Sequence, residues 1–370
     1  GTIQGTFREA AQELITRIIP DHTVEEYKTG LLAYQEKMAS YGITMAHDAM
    51  LEPFLNGLEA FRQLESEGKN LFKLRASLGT YEKTAMEDLE KYREIEREQT
   101  SSRGSIRHVK IFMDGVVEGG TALLKEPYHN NPGFRGELIW NEQTLMEFCR
   151  QVDAMGYDLH FHVIGDGAAD SMLKVLEEIN LKNTPRERRP IAAHVQILDR
   201  NDIPRLQNNR VVISANPFWF VKDAGYYYKI EVPALGEKRA SKEYPMKILF
   251  DSGLTVASAS DYSVTALPAP LIGIQMGVNR CFPEMDANDE DKILGWEERV
   301  SLEQMIRSFT INGAYANWME ERTGSLEKDK DADLVILEQN LFDVPKDKIS
   351  SVPIIATIAE GRVIFGELPR

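Results

Sequence analysis

The sequence predicts an α/β chain: a (β/α)8 TIM-like barrel lacking its first strand, with a small β-sandwich module to which the C-terminal tail contributes. Three observations predict it. Alternating apolar strands and amphipathic helical stretches succeed one another along most of the 370 residues. Seven strand–helix units can be counted, one short of a closed barrel. No Gly-rich phosphate loop marks an open doubly wound sheet instead, and right-handed crossovers at this spacing close most simply into a barrel.

The elements follow in order. Residues 25–41 read as a helix, with Tyr27, Leu31, Tyr34 and Met38 on one stripe, and Gly42 ends it. Residues 43–47 read as a short strand, 53–67 as a helix and 71–78 as an alternating strand. Residues 81–98 form a charged, solvated outer helix. The unit repeats as strand 108–113 and helix 144–155, then strand 157–164 and helix 168–179. Strand 190–195 precedes a helix over 200–208, and strand 210–215 precedes one over 244–252. Strand 254–260 and helix 302–310 complete the series. Two long connections, 116–138 and 279–298, break the rhythm; loops of this length often cover a site. After Gly324, residues 333–337, 354–358 and 361–365 read as strands with turns. The expected division is therefore a barrel over 1–323 and sandwich strands over 324–370.

Composition narrows the function. Asp and Glu number 58 against 43 Lys and Arg, a net charge of −15, which disfavours nucleic acid and anionic membranes. No uncharged apolar run reaches the roughly 18 residues of a membrane helix. Two cysteines, Cys149 and Cys281, make no disulfide framework, so a reducing, cytoplasmic setting is expected. The opening Gly1-Thr2-Ile3-Gln4-Gly5 has no leader character and no initiator Met, so a fragment or a processed form is expected.

Chemistry-bearing residues gather at predicted strand ends. His160, His162 and His194 lie at or near the ends of the strands over 157–164 and 190–195, Asp261 just follows the strand over 254–260, and Lys110 sits inside an apolar strand. In a barrel such ends converge on one mouth. Imidazoles and a carboxylate meeting there suit a divalent metal such as Zn²⁺. Each also has a plain structural reading: a hydrogen-bonded core histidine, a lysine reaching out of the barrel end, or a turn-capping aspartate. Spacing alone leaves these open. Asp166 is expected to N-cap the helix that follows it.

Five segments in order add a resemblance: Val109-Lys110-Ile111-Phe112-Met113-Asp114-Gly115, Glu126-Pro127-Tyr128, Leu159-His160-Phe161-His162-Val163-Ile164-Gly165-Asp166, Ala193-His194-Val195-Gln196 and Ala259-Ser260-Asp261-Tyr262-Ser263-Val264. With the Gly324 to Val335 tail, they make the chain resemble the amidohydrolase superfamily, in the family 3 branch that includes N-substituted formamide deformylase-like proteins. The resemblance runs from about Gly5 to Gly366. It implies a metal-dependent hydrolase of carbon–nitrogen bonds, with one or two zinc ions or another divalent metal. Lys110 then matches the fourth-strand lysine, carboxylated in binuclear members; His162 and His194 match the fifth- and sixth-strand ligands. Asp261 matches the eighth-strand ligand and proton shuttle, so that Asp261, Lys110 and His194 would be catalytic.

The chain also departs from that pattern. The superfamily carries His-x-His at the end of strand 1, and nothing before His47 supplies it. His160-Phe161-His162 belongs to the fifth strand by its position in the series, so His160 shares the inward face with His162. Either the first strand is missing from this chain, or the homologue is shortened and its metal site incomplete. Another segment or a second copy is expected to fill the gap. Substrate contacts are expected from His160, His47, Tyr128 and Trp219, with surface, turn and packing roles as their alternatives; His22 and His108 are expected to be structural or exposed. The partner is a small amide-like molecule. The rival readings are an ester hydrolase on the same scaffold and a metal-deficient homologue that only binds.

Overall fold

A computed structural model describes residues 5, 11, 13–52, 55–83, 85–101 and 103–368. The opening segment and the predicted first residues of the second helix, Pro53 and Phe54, lie outside them.

Among these residues seven parallel strands form one sheet in strict sequence order: β1 (Met45–Leu51), β2 (Lys73–Gly79), β3 (Gly104–Phe112), β4 (Asp158–Val163), β5 (Ile191–His194), β6 (Val212–Ala215) and β7 (Val256–Ser258). They correspond in order to strands two to eight of the expected barrel. The sheet curls into an incomplete barrel that ends on β1 at one side and β7 at the other. Helices Val24–Ser40, Gly57–Ser66, Ala85–Gln99, Glu142–Ala154, Asp166–Lys182, Ile203–Asn208 and Met246–Asp251 lead into the strands.

Local chemistry explains the boundaries. Thr23 caps the first of these helices through a capping box: its Oγ1 accepts from the Glu26 N–H (3.3 Å), and the Glu26 carboxylate accepts from the Thr23 N–H (2.8 Å). β4 is buried at every residue, as a parallel strand covered on both faces must be. Its alternation sends Leu159, Phe161 and Val163 into the apolar core shared with Phe148, Val152, Met172 and Leu176. His160 and His162 take the other face. β5 is shorter than expected because His194 and Val195 adopt φ of +74° and +47°, which ends the extended run. β7 stops before Asp261, at φ +54°.

Two expectations are corrected. Asp166 is not the cap. Gly165 occupies that position, and the Asp166 carboxylate accepts from the Lys125 N–H (2.8 Å). The charged helix over 85–99 is only half solvated, since Ala85, Leu89 and Tyr92 are buried. The sequence reading also passes over helix Pro270–Asn279. It is buried on nearly every side and shows no polar face to give it a period.

A second, three-stranded antiparallel sheet is made by β8 (Leu334–Leu337), β9 (Ile354–Ala359) and β10 (Arg362–Gly366), in the order β10-β9-β8. Thr357 Oγ1 donates to the Ala39 carbonyl (2.7 Å). The buried Lys73 ammonium lies 2.8, 3.2 and 3.5 Å from Asp333, Asp331 and Glu360, which offsets its desolvation. These contacts fix the small sheet to the barrel. No helix among the described residues is long and apolar enough to cross a membrane.

Candidate metal centre

Parallel register sets the inward Lys110 on β3 beside the inward His160 on β4. His194 closes β5 level with Val163 on β4, on backbone turned to φ +74°. The resulting interior holds two neighbouring groups of side chains.

The first group is His162, His194, Lys110 and Asp261. The His162 and His194 rings stand edge to face, 4.6 Å between centroids. His162 Nε2 lies 3.2 Å from the Gly115 carbonyl, which can only accept, so Nε2 carries the hydrogen and Nδ1 is bare. His194 Nδ1 lies 2.9 Å from Asn216 Oδ1. Asn216 Nδ2 points at the Ala259 carbonyl (3.4 Å), so its oxygen faces the ring, Nδ1 donates and Nε2 is bare. Burial, reinforced by the nearby Lys110 ammonium, holds both imidazoles well below their ordinary range, His194 at about 3. Each ring is thus neutral, anchored through one nitrogen and open at the other. That is the form in which histidine binds a metal.

Lys110 is buried with no hydrogen-bond or ion-pair partner among the described residues. Its Nζ lies 5.0 Å from the centre of the Phe112 ring. Burial pulls its ammonium down to about 8, while the Asp261 charge opposes the shift. Burial likewise raises the Asp261 carboxyl, opposed by Lys110. His194, Val195 and Asp261 all hold left-handed backbone. For the β-branched Val195 this is a strained conformation, and such strain gathers at sites that surrounding structure over-determines.

The second group lies beside the first. Ser77 Oγ on β2 lies 2.8 Å from both His47 Nε2 and His160 Nδ1. One hydroxyl hydrogen serves two ring nitrogens, so one imidazole must donate while the other accepts. His108 joins them, its ring 5.4 Å from His47 and 6.3 Å from His160. His108 is buried, which fits the structural and not the exposed of its two expected readings. The Nε2 atoms of His108 and His160 have no hydrogen-bond partner among the described residues. Ser77→Ala leaves both bridged nitrogens unsatisfied and is expected to cost about 1–3 kcal/mol in denaturant unfolding; an unchanged midpoint would contradict the bridge.

Trp219 stacks on His194 at 5.3 Å and donates from Nε1 to Thr265 Oγ1 (3.1 Å). Tyr128 sits elsewhere. Its hydroxyl donates to the Ala122 carbonyl (2.9 Å), and it lines a cleft of about 580 Å³ with Glu118, Asn130 and Lys229. It is buried, not the surface-loop residue expected as the alternative. His47 is half-buried on β1, and His22 is exposed. Ser77 and Asn216, which hold these rings, carry no local signal of that role in the sequence.

A family model described as "Amidohydrolase family" matches residues 1–365. The chain belongs to this family. The Arthrobacter pascens N-substituted formamide deformylase is 23% identical over 98% of this chain and 65% of its own length. The Arabidopsis thaliana protein LONG AFTER FAR-RED 3 is 31% identical over 70% of this chain and 42% of its own. The crystal structure of an uncharacterized metal-dependent hydrolase from Pyrococcus furiosus superposes with a TM-score of 0.68 at 27% identity, over 87% of this chain and 61% of that one. The chain therefore spans less than two thirds of the length of each of these relatives.

The family implies a metal, and the donors can be tested against it. Two neutral imidazoles with bare nitrogens, a carboxylate and a lysine of reduced basicity fit a divalent ion by their chemistry. Among the described residues no three histidine, cysteine or carboxylate side chains converge closely enough to hold an ion by themselves.

Proposed function

We propose that this chain is the catalytic body of a divalent-metal-dependent hydrolase that cleaves a carbon–nitrogen bond in a small amide-like substrate, such as an N-acyl or N-formyl compound. The observation that carries the reading is the adjacency of His162 and His194, both neutral and each fixed with its free nitrogen available. Lys110, His162, His194 and Asp261 are the residues that would hold zinc, as one or two ions, or another divalent metal. When bound, such an ion polarises a carbonyl and acidifies water.

The chain's own groups supply the rest. Asp261 takes the proton of the attacking water and hands it to the departing nitrogen, because an amine leaves poorly unless protonated. Lys110 sits in electrostatic contact with Asp261 and favours its charged form. Trp219 backs His194 and offers an apolar wall to substrate, and His160 faces the same interior. The gap between β1 and β7 is filled by a strand from a further segment or a second copy. Cys149 and Cys281 are buried and free, in keeping with a reducing, cytoplasmic setting.

The test is turnover of N-formyl and N-acyl amines against matched esters, before and after chelation. Amide cleavage lost on chelation and restored by zinc is expected. Ester-only or chelator-insensitive turnover would contradict the reading. The incomplete donor convergence favours one second reading, a homologue that binds amides without cleaving them. Folded, metal-free protein that binds amide with no turnover would establish that reading instead.

A further inference from the structure

Asp114, two residues beyond β3, ties three segments together. Its buried carboxylate accepts backbone N–H groups from Ile164 (3.0 Å), Gly165 (2.9 Å) and Leu123 (2.9 Å). The end of β3, the turn after β4 and the return of the long connection therefore meet at one side chain. The Leu123 carbonyl accepts in turn from Gly167 (3.0 Å) and Ala168 (3.2 Å) at the start of the next helix. The approach is so close that a Cβ on Gly165 would stand 1.9 Å from the Leu123 oxygen. A carboxylate suits three converging donors because it brings several lone pairs and no hydrogen of its own.

The neighbouring residue gives this clamp a consequence. Gly115 follows directly, its N–H donates to the Thr121 carbonyl (3.2 Å), and its own carbonyl receives His162 Nε2–H. We propose that Asp114 is the positioning residue for His162: by fixing the Gly115 carbonyl, it decides which imidazole nitrogen is left to bind a cation. Its functional consequence rests on the reading of His162 as a ligand; the tautomer does not. Groups that orient a ligand's second nitrogen typically alter metal affinity by about 10–100-fold when changed.

The test uses the full chain labelled with ¹⁵N-histidine, first metal-free and then titrated with zinc, with the His162 signal assigned by its loss in His162→Gln. Wild-type His162 is expected in the Nε2–H form. In Asp114→Asn an N–H₂ group faces backbone donors. His162 is then expected to show both tautomers, His194 to stay unchanged, and zinc to bind about 10–100-fold more weakly. Asp114→Glu keeps the acceptors and is expected to retain the Nε2–H form, which makes the proposal decidable if Asp114→Asn does not fold. A wild-type proton on Nδ1, or a folded Asp114→Asn with an unaltered His162 spectrum, overturns the proposal. The expected tautomer without zinc binding would sink the ligand reading and leave the positioning role standing.

Discussion

Asp261→Asn is expected to lower amide turnover by about 10²–10⁴-fold, the usual contribution of a group that moves protons in the transition state. Asparagine keeps the shape and loses the ability to receive the water's proton. On the proposed reading Asp261 also offers an oxygen to the cation, so zinc content should fall as well, though less than in Lys110→Ala, which removes a whole side chain from the buried interior. In Lys110→Ala zinc affinity should weaken by more than the roughly 10–100-fold typical of an outer-shell change. Metal analysis beside initial rates checks both. Unaltered metal content together with unaltered rates would dismiss the four-residue cluster.

Stability is expected to fall as pH rises through neutrality, and one buried carboxyl pair is the stated cause. Gln196 Nε2 donates to both Glu231 Oε1 (2.9 Å) and Glu243 Oε1 (2.7 Å). Glu231 and Glu243 are both buried, and Glu243 Oε2 has no hydrogen-bond partner among the described residues. Burial raises Glu231 to about 7 and raises Glu243 well above the carboxylate range, the Glu231 charge adding to the shift of Glu243. Glu118 and Asp223 add like charge, Tyr226 and Tyr244 face the pair, and Arg280 partly opposes it. The folded state thus binds a proton that the unfolded chain releases near pH 4.5. The resulting stabilisation is complete below that pH and disappears as pH climbs through about 7. At 1.36 kcal/mol per pKa unit the loss is about 3 kcal/mol. Urea midpoints from pH 5 to 8 should show it, and Glu243→Gln should flatten the slope. An equal slope in the variant would refute this origin.

Much of the barrel is legible in the sequence because strand alternation and helical stripes are local patterns. The placement of Lys110, His162 and His194 on three adjacent strands, with Asp261 just after the last strand, follows from the same counting. What escapes is what depends on distant partners. Ser77 meets His47 and His160 from 30 and 83 residues away, and nothing in its own neighbourhood announces it. His108 lies two residues before Lys110, so a strict period-2 reading places it on the inward face; its burial beneath the rim hides in that same alternation. Helix Pro270–Asn279 escapes because burial on nearly every side removes the polar stripe by which a helix is recognised. Asp166 reads as a cap from its position before a helix, yet the long connection returns to place the Lys125 N–H against it.

The central claim is that two neutral imidazoles share one cation at the open end of the strands. X-ray absorption at the zinc edge, on the full chain loaded with one equivalent of zinc, tests it most directly. A first shell containing two imidazole nitrogens is predicted, with one lost in His162→Gln and one in His194→Gln. Zinc whose spectrum is untouched by either substitution, or no zinc retained by the unsubstituted chain, would contradict the account.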